Sequence, residues 1–382
     1  MIDALTARDA AGLLRRRVVY QPTGPVTVEL VGRELVNFAS NNYLGLTHHP
    51  RLLAAAKNAV AVGSGAAGLI SGHTDAHAAA ERAIADWKST EAAVLLPSGY
   101  QANLAVVQTL SAIGEAQGKS SGGVRFLVDK LAHASLLDAV RLTGSRFRIF
   151  PHNGLGKLRR LLAEAPADEL QVVLTESIFS MDGDAADLAG LAELKRHFPF
   201  VLVVDEVHGS GVYGTGGSGL TAELNLRDAV DVTMVTLSKS LGLSGAAICG
   251  RADFVRAVEN FGRAYIYSTA VSPLMATLAT EAVAVCQTEP QHQQRVRRLA
   301  KQVRERLIAA GRDVLPGDSP IIPLIVGDAT AALAEASRLK DAGLLVVAVR
   351  PPTVPPNTSR FRVTVSAAHS DEQIERLITA LR

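Results

Sequence analysis

Val201-Leu202-Val203-Val204-Asp205-Glu206-Val207-His208-Gly209 places a carboxylate and an imidazole directly after a run of apolar, β-branched residues. Such a run predicts a buried strand of a parallel sheet. The next predicted strand, Val232 to Thr236, is followed by Leu237-Ser238-Lys239. Because ligands bind beyond the carboxyl ends of parallel strands, we expect Asp205, His208 and Lys239 to meet at one site.

Short apolar strands alternate with helices over most of the chain before and after this pair of strands. This alternation predicts an α/β fold, with a mostly parallel sheet covered by helices on both faces. One long helix is predicted from Pro273 to Ala310, and it leads into a smaller α+β unit. We therefore expect an N-terminal arm at residues 1–45, a large domain at 46–280 and a small C-terminal domain at 281–382.

The composition is that of a globular protein without a strong net charge. Of 382 residues 48% are hydrophobic, and 39 Lys and Arg nearly balance 37 Asp and Glu. The balance gives no electrostatic reason to expect nucleic acid or an anionic membrane as a partner. No apolar run reaches the ~18 residues that span a bilayer, and the chain start lacks a signal-peptide block. The two cysteines fit a reducing compartment, so we expect a cytoplasmic location.

The residue types at the two strand ends suit pyridoxal 5'-phosphate (PLP). This cofactor needs a lysine amine for a Schiff base, a carboxylate that keeps its ring nitrogen protonated, and donors for its phosphate. Lys239 and Asp205 would meet the first two needs. Ser98-Gly99-Tyr100 lies between a predicted strand and a helix, where backbone N–H groups would face an anion. Thr236 and Ser238 would add hydroxyl donors.

Each of these residues, taken singly, has an ordinary alternative explanation. An Asp after a strand can hold Mg²⁺ beside a phosphate loop, a loop His is usually only hydrogen-bonded, and a Lys is usually a solvated charge. The chain has no Gly-x-x-x-x-Gly-Lys-Ser/Thr loop that such an Asp would serve. His133, after another predicted strand, suits either a capping role or stacking on a planar cofactor. The combination favours the PLP site.

Other motifs match known functional patterns but lie in surroundings that do not suit those functions. Gly63-Ser64-Gly65-Ala66-Ala67-Gly68 fits a dinucleotide-binding pattern but follows an Ala-rich helix instead of a strand. Gly118-Lys119-Ser120-Ser121-Gly122 fits a hydrolase elbow but lies in a polar loop. His73 and His77 are spaced like zinc ligands but lack the Glu of a zinc helix, so we expect no metal. A non-catalytic PLP scaffold would have lost the lysine or the acid.

Ordered motifs along nearly the whole chain resemble those of the α-oxoamine synthases, fold type I PLP enzymes that join an amino acid to an acyl thioester with loss of CO₂. The motifs are Asn41-Asn42-Tyr43-Leu44-Gly45-Leu46, Ser98-Gly99-Tyr100-Gln101-Ala102-Asn103, His133-Ala134-Ser135, Phe179-Ser180-Met181-Asp182-Gly183-Asp184, Asp205-Glu206-Val207-His208-Gly209 and Thr236-Leu237-Ser238-Lys239. The resemblance implies a seven-stranded, mostly parallel sheet in the large domain. It also implies a homodimer with the active site between the subunits.

A C-terminal motif points to one branch of this family. Arg350-Pro351-Pro352-Thr353-Val354-Pro355, followed by Arg360-Phe361-Arg362, resembles the biotin-pathway branch. That branch condenses L-alanine with a pimeloyl thioester, carried by coenzyme A or an acyl carrier protein. Branches that use glycine have different residues ahead of the Val-Pro. The alternative activity for this chain is therefore that of the 2-amino-3-ketobutyrate CoA ligase type.

The resemblance also implies residue roles by position. Lys239 would be the Schiff-base lysine, Asp205 the partner of the ring nitrogen, His133 the stacking residue and His208 the donor to the ring hydroxyl. The phosphate end or ring would be held by Gly99, Tyr100, Ser180 and Thr236. The substrate residues would be Arg362, clamping the amino-acid carboxylate, and Arg15, Asn41, His133 and Thr353 at the acyl side or in loop closure.

Two positions depart from the family pattern. Asn42 stands where the family usually has Asp, and Ala66 and Ala67 stand where relatives often have Gly and Ser. Both departures concern the acyl entrance and not the site of the Schiff base.

Overall fold

The computed structural model describes residues 2–10, 14, 17–116 and 123–382. The strands are β1 (Gln21–Gly24), β2 (Thr27–Leu30), β3 (Arg33–Asn37), β4 (Ala92–Leu96), β5 (Val124–Asp129), β6 (Arg146–Phe150), β7 (Leu170–Glu176), β8 (Val201–Asp205), β9 (Val232–Thr236), β10 (Ala246–Gly250), β11 (Ile321–Gly327), β12 (Leu344–Leu345), β13 (Val347–Val349) and β14 (Ser359–Thr364). The α-helices are α1 (Ile2–Ala10), α2 (Pro50–Lys57), α3 (Asp75–Lys88), α4 (Gly99–Ala116), α5 (Ala134–Thr143), α6 (Leu155–Ala163), α7 (Leu188–His197), α8 (Leu220–Glu223), α9 (Ala252–Phe261), α10 (Arg263–Ile266), α11 (Pro273–Thr288), α12 (Gln291–Ala309), α13 (Ala329–Asp341) and α14 (Asp371–Leu381).

The central sheet has seven strands in the order β4-β10-β9-β8-β7-β5-β6. Neighbours from β9 to β6 run parallel, and β10 runs antiparallel to both β4 and β9. The predicted α/β fold with a mostly parallel seven-stranded sheet is therefore confirmed. The strand pattern had not indicated β10, because its sequence Ala-Ala-Ile-Cys-Gly is poor in the β-branched residues that mark the other central strands.

The strands that lead to the candidate site are buried on both faces. Leu202, Val204 and Val235 pack into a hydrophobic cluster on one side of the sheet. Val203 and Met234 alternate with them and pack against α4, α5 and α9 on the other side. Each fully buried aliphatic side chain contributes about 1.5–3 kcal/mol, so these strands hold the loops that follow them on a rigid base.

Two smaller sheets join the ends of the chain. Strands β2 and β3 form an N-terminal hairpin, and β3 pairs in parallel with β12 of the C-terminal part. The backbone N–H of Phe38 also donates to the carbonyl of Leu345 at 2.9 Å. A second sheet, ordered β11-β14-β13, places Arg362 on its middle strand. The N-terminal arm is thus tied to the C-terminal part.

The long helix predicted from residue 273 to 310 is two helices, α11 and α12, because Pro290 interrupts it. Proline lacks the N–H that a continuous helix would need and clashes with the preceding turn. Helix α11 packs on α2 and α3, whereas α12 packs on α14. The predicted domain boundary near residue 281 falls inside α11, and the three-part division stays a prediction. No helix among the described residues is long and apolar enough to cross a membrane.

Candidate active site

The carboxyl ends of β8 and β9 open into one small cavity. Asp205 is the last residue of β8, and Lys239 follows β9 by three residues. Both line a cavity of about 170 Å³. The other predicted residues on its wall are Gly99, Tyr100, His133 and Thr236. The structure therefore brings together the acid, the amine and the expected phosphate-binding loop.

Asp205 lies at the bottom of this cavity and is 2% exposed. Its Oδ2 accepts a hydrogen bond from Nδ2 of Asn103 at 3.0 Å, and its Oδ1 accepts one from the backbone N–H of Val207 at 3.1 Å. Burial raises the pKa of Asp205 to about 6, against the lowering effect of the Asn103 hydrogen bond and of the nearby charge of Lys239. An aromatic N⁺–H placed beside it would favour the ionised carboxylate.

Lys239 begins a chain of polar contacts. Its Nζ lies 2.6 Å from Nε2 of His208, and Nδ1 of the same ring lies 2.7 Å from the hydroxyl of Tyr43. Burial lowers the pKa of Lys239 to about 8, although the carboxylates of Asp205 and Glu176 act in the opposite direction. Burial, together with the charges of Lys239 and Arg362, also holds the pKa of His208 well below its usual value. The lysine is thus easier to deprotonate than an exposed one, and the imidazole stays neutral.

A second cavity of about 400 Å³ lies on the other side of Lys239 and His133, which line both. Its wall includes Asn41, Ser180, His208 and Arg362. Nε of Arg362 donates to the carbonyl of Ser180 at 2.6 Å, and Nη2 lies 3.5 Å from the hydroxyl of Tyr43. These contacts fix the guanidinium beside the cavity and leave further N–H groups for a bound anion.

The groups expected to bind the cofactor phosphate are the N–H groups at the start of a helix and two side-chain hydroxyls. Helix α4 begins at Gly99, where the first N–H groups have no partner within the helix. Gly99 lines the cavity beside Met234 and Thr236. The hydroxyls of Thr236 and Ser238 lie 2.8 Å apart. The hydroxyl of Tyr100 already donates to Asp138 at 3.1 Å.

His133 performs a structural task at the cavity wall. It is the N-cap of α5, and its Nδ1 accepts a hydrogen bond from the backbone N–H of Ser135 at 3.2 Å and lies 2.7 Å from the Ser135 hydroxyl. Burial and the charge of Lys239 lower the pKa of His133, so its ring is neutral at neutral pH. The capping role is thus present, and stacking of His133 on a planar cofactor stays a prediction.

The residues expected at the acyl side are partly separated from Lys239. Thr353 lines a neighbouring cavity of about 500 Å³, which shares His133 and Ser180 with the cavities above. Asn41 lines the 400 Å³ cavity, and its Oδ1 accepts a hydrogen bond from Tyr43 at 3.1 Å. Arg15 lies outside the described residues.

The two departures from the family pattern make contacts away from the walls of the 170 Å³ and 400 Å³ cavities. The side chain of Asn42 is buried and donates to the carbonyl of Pro25 at 3.1 Å and to Thr47 Oγ1 at 2.8 Å. Ala66 and Ala67 contact the rest of the chain through backbone groups. The carbonyl of Ala66 accepts a hydrogen bond from the N–H of Ala270 at 3.0 Å. None of the three lines the cavities around Lys239.

Sequence reasoning gave no role to Asn103 and Glu176. Asn103 lies one helical turn after Gly99 in α4, a spacing that could have placed it on the cavity face. Glu176 ends β7 and is 0% exposed, and its carboxylate oxygens accept no hydrogen bond of good geometry from the described residues, although the nearby backbone N–H of His133 acts to lower its pKa. Burial and the neighbouring Asp205 raise the pKa of Glu176 well above its usual value. The sequence shows an acid at the end of a third strand, but it does not show that this acid is buried without a side-chain hydrogen-bond partner among the described residues.

The donor set fits PLP. A buried carboxylate bonded to one amide and one N–H retains acceptor capacity for a ring nitrogen. An amine of lowered pKa lines the same cavity, and a neutral imidazole lies 2.6 Å from that amine. The start of α4 and two hydroxyls offer an anion-binding end. The residues that the cofactor requires are thus present within one pair of adjoining cavities.

Comparisons with known proteins agree with this site. The family model of class I and II aminotransferases matches residues 33–381. The 8-amino-7-oxononanoate synthase of Alkalilimnicola ehrlichii is 40% identical over 99% of this chain and 96% of its own length. That of Stutzerimonas stutzeri is 40% identical over 100% of this chain and 95% of its own. The serine palmitoyltransferase of Sphingomonas wittichii superposes with a TM-score of 0.93 at 27% identity, covering 100% and 96% of the two chains. The chain therefore belongs to the class I and II aminotransferase family of PLP enzymes, in the α-oxoamine synthase branch that includes the 8-amino-7-oxononanoate synthases.

Proposed function

We propose that the chain catalyses the decarboxylative condensation of L-alanine with a pimeloyl thioester, the reaction of an 8-amino-7-oxononanoate synthase in biotin biosynthesis. It is a PLP-dependent acyltransferase. The observation that carries the proposal is the shared cavity of Asp205 and Lys239 in a chain 40% identical to such synthases over nearly its full length.

PLP, when bound, supplies a protonated ring that stabilises negative charge at the Cα of an attached amino acid. Lys239 would hold the cofactor covalently through Nζ, and Asp205 would hold the ring nitrogen. His133 would cover one face of the ring, and His208 would donate to the ring hydroxyl. Gly99, Tyr100, Ser180 and Thr236 would fix the phosphate end or the ring.

Lys239 is also the group placed to move a proton. Its lowered pKa of about 8 gives it a far larger neutral fraction near pH 7.5 than an exposed lysine has. A neutral amine released from the cofactor would accept the Cα proton of alanine, since a general base works best when its pKa is near the working pH. His208, 2.6 Å away, would orient that amine.

Arg362 is proposed to bind the alanine carboxylate. Its guanidinium faces the 400 Å³ cavity beside Lys239 and is held from behind by the Ser180 carbonyl. A planar guanidinium binds carboxylate through two parallel N–H groups, which also sets the orientation of the amino acid. The acyl chain would then approach from the side of Asn41 and Thr353, and Arg15 is proposed as a further contact there.

A homodimer is proposed from exposed apolar side chains in the segment between α2 and α3. Val60, Val62 and Ile70 are 93%, 85% and 81% exposed. Large exposed apolar patches are typical of protein interfaces. Ala67, in the same segment as these side chains, forms a β-bridge with Thr269. The neighbouring Ser268 accepts a hydrogen bond at 2.9 Å from Gln101, which follows the expected phosphate-binding residues Gly99 and Tyr100. A purified protein that sediments only as a monomer would contradict the dimer.

An absorption titration separates the amino-acid alternatives. PLP-loaded protein is titrated with L-alanine, glycine and L-serine, and turnover is followed with pimeloyl-coenzyme A and with pimeloyl-acyl carrier protein. We expect the spectrum to change at the lowest concentration of L-alanine and 8-amino-7-oxononanoate to form. A preference for glycine would favour a 2-amino-3-ketobutyrate CoA ligase activity, and a preference for serine would favour the activity of the solved palmitoyltransferases.

A further inference from the structure

Three side chains that commonly bind metals meet at the joint between α11 and α12, outside the cavities around Lys239. His49 is the N-cap of α2, Glu289 is the C-cap of α11, and His292 lies in the first turn of α12. The Nε2 atoms of His49 and His292 lie 3.1 Å and 3.3 Å from the same atom, Oε2 of Glu289. The three candidate ligand atoms all lie within 4.8 Å of one another.

The two His–Glu separations suit a tetrahedral zinc ion. With Zn–N and Zn–O bonds of about 2.0–2.2 Å, two ligands of a tetrahedron lie roughly 3.3 Å apart. The two His–Glu separations, 3.1 Å and 3.3 Å, agree with that value. Two imidazoles and a carboxylate are a common zinc donor set and leave a fourth position for water. The side chains of His49, Glu289 and His292 are 11%, 23% and 29% exposed, so an ion can reach them from solvent.

The surroundings orient the carboxylate and favour a cation. Nη1 of Arg51 donates to Oε1 of Glu289 at 3.2 Å, and its Nε donates to Glu281 at 2.6 Å. Oε2 of Glu289 faces the two imidazoles and also accepts a long hydrogen bond from Nε2 of Gln291 at 3.4 Å. One arginine beside two carboxylates leaves a net negative charge for a cation to neutralise.

We propose that His49, Glu289 and His292 bind one divalent ion of the zinc class. The ion joins the start of α2 to the joint where the chain passes from α11, which packs on α2 and α3, to α12, which packs on α14. The expectation of no metal was based on His73 and His77. This site instead combines residues that lie 240 positions apart in the sequence, a proximity that only the fold creates.

Zinc binding to the PLP-loaded protein tests the proposal. The protein is prepared without a histidine tag and freed of metal with a chelator, and zinc is then titrated by calorimetry and counted by elemental analysis after dialysis. We expect one zinc per chain, with affinity at least about ten-fold weaker in His49→Gln and His292→Gln. Glutamine keeps an amide donor toward Glu289, and the PLP absorbance reports whether each variant is folded.

His73→Gln is the matched control, because His73 is an exposed imidazole that also contacts a glutamate, Glu81, at 2.9 Å. We expect this variant to bind zinc like the unmodified chain. Zinc should raise the melting temperature of the unmodified chain and of His73→Gln, and should leave that of His292→Gln unchanged. The proposal is overturned if the unmodified chain binds no zinc, if His292→Gln binds it equally well, or if only His73→Gln loses it.

Discussion

Nδ2 of Asn103 donates to Oδ2 of Asp205 at 3.0 Å and to the hydroxyl of Ser135 at 2.9 Å. The amide thus connects the helix that starts at the cofactor cavity with the strand that carries the acid. A hydrogen bond to the charged form of a carboxylate opposes the rise in pKa that burial causes. Asn103 is therefore placed to keep Asp205 ionised and correctly oriented.

Replacing Asn103 by alanine should weaken cofactor binding. Loss of the amide raises the pKa of Asp205 further and leaves one of its oxygens without a donor. We expect PLP affinity, measured by equilibrium dialysis, to fall about ten-fold, which corresponds to roughly 1.4 kcal/mol. Asn260→Ala is the control, since that amide donates to the carbonyl of Arg256 at the surface. Unchanged affinity in Asn103→Ala would remove the proposed role.

Loss of the charge on Asp205 should affect turnover more than folding. Asp205→Asn keeps the size of the side chain but cannot stabilise a protonated ring nitrogen, and Asp205→Ala removes both. We expect kcat to fall by at least about 100-fold in each, as when one preorganised electrostatic contact to a transition state is lost. We also expect Asp205→Ala to bind PLP weakly. Near-normal kcat in either variant would contradict the assignment of Asp205.

Lys239→Ala should abolish the covalent link between chain and cofactor. Borohydride reduction followed by mass spectrometry is expected to show PLP fixed to the unmodified chain and none fixed to the variant. Lys157→Ala, which changes an exposed lysine on α6, should label like the unmodified chain. A reducible link that persists in Lys239→Ala would mean that another amine anchors the cofactor.

The sequence was sufficient to predict the sheet edge at which the site lies. Asp205 and Lys239 follow apolar, β-branched runs whose periodicity and length are those of buried parallel strands. Because neighbouring parallel strands end at the same edge, the proximity of these side chains followed from chain order alone. The same reasoning reached Gly99, His133 and Thr236, and the ordered motifs then added Ser180 and Arg362.

Other features depended on packing that local pattern does not encode. Strand β10 is held between β4 and β9 by pairing on both sides, despite a weak local preference for strand. Glu176 lacks a side-chain hydrogen-bond partner among the described residues because the fold buries it. His49 and His292 come close together because α2, which starts after His49, packs on α11, the helix before α12. The break between α11 and α12 was visible as Pro290, but proline in a long apolar pattern can either kink or end a helix.

Arg362→Lys should raise the KM for L-alanine. Lysine keeps the positive charge but cannot offer two parallel N–H groups to a carboxylate, and it loses the contact with the Ser180 carbonyl. Charged hydrogen bonds contribute about 1.5–3 kcal/mol each, so we expect KM to rise roughly 10- to 150-fold. The KM for the pimeloyl thioester should change less. An equal rise in both constants would argue against a specific carboxylate clamp.

The imidazole of His152 makes the stability of the fold depend on pH. Its Nδ1 lies 3.1 Å from Asp129 at the end of β5, its Nε2 lies 2.7 Å from Asp184, and the ring packs edge-on against Phe179. Burial alone would lower the pKa of His152, but the two carboxylates more than offset it and raise the pKa to about 10. Because the folded state holds this proton more tightly than the unfolded chain, the stabilisation is complete below pH 6.5 and is lost as pH rises toward 10.

His152→Gln should remove this dependence. Denaturant unfolding of the PLP-loaded protein is compared at several values of pH between the unmodified chain and the variant. We expect the variant to be less stable by on the order of 2 kcal/mol at pH 6 and the difference to shrink steadily toward pH 10. His197→Gln, which changes an exposed imidazole beside Glu193, should leave the pH profile unchanged. A stability difference that is constant from pH 6 to 10 would show that His152 acts through packing and not through its charge.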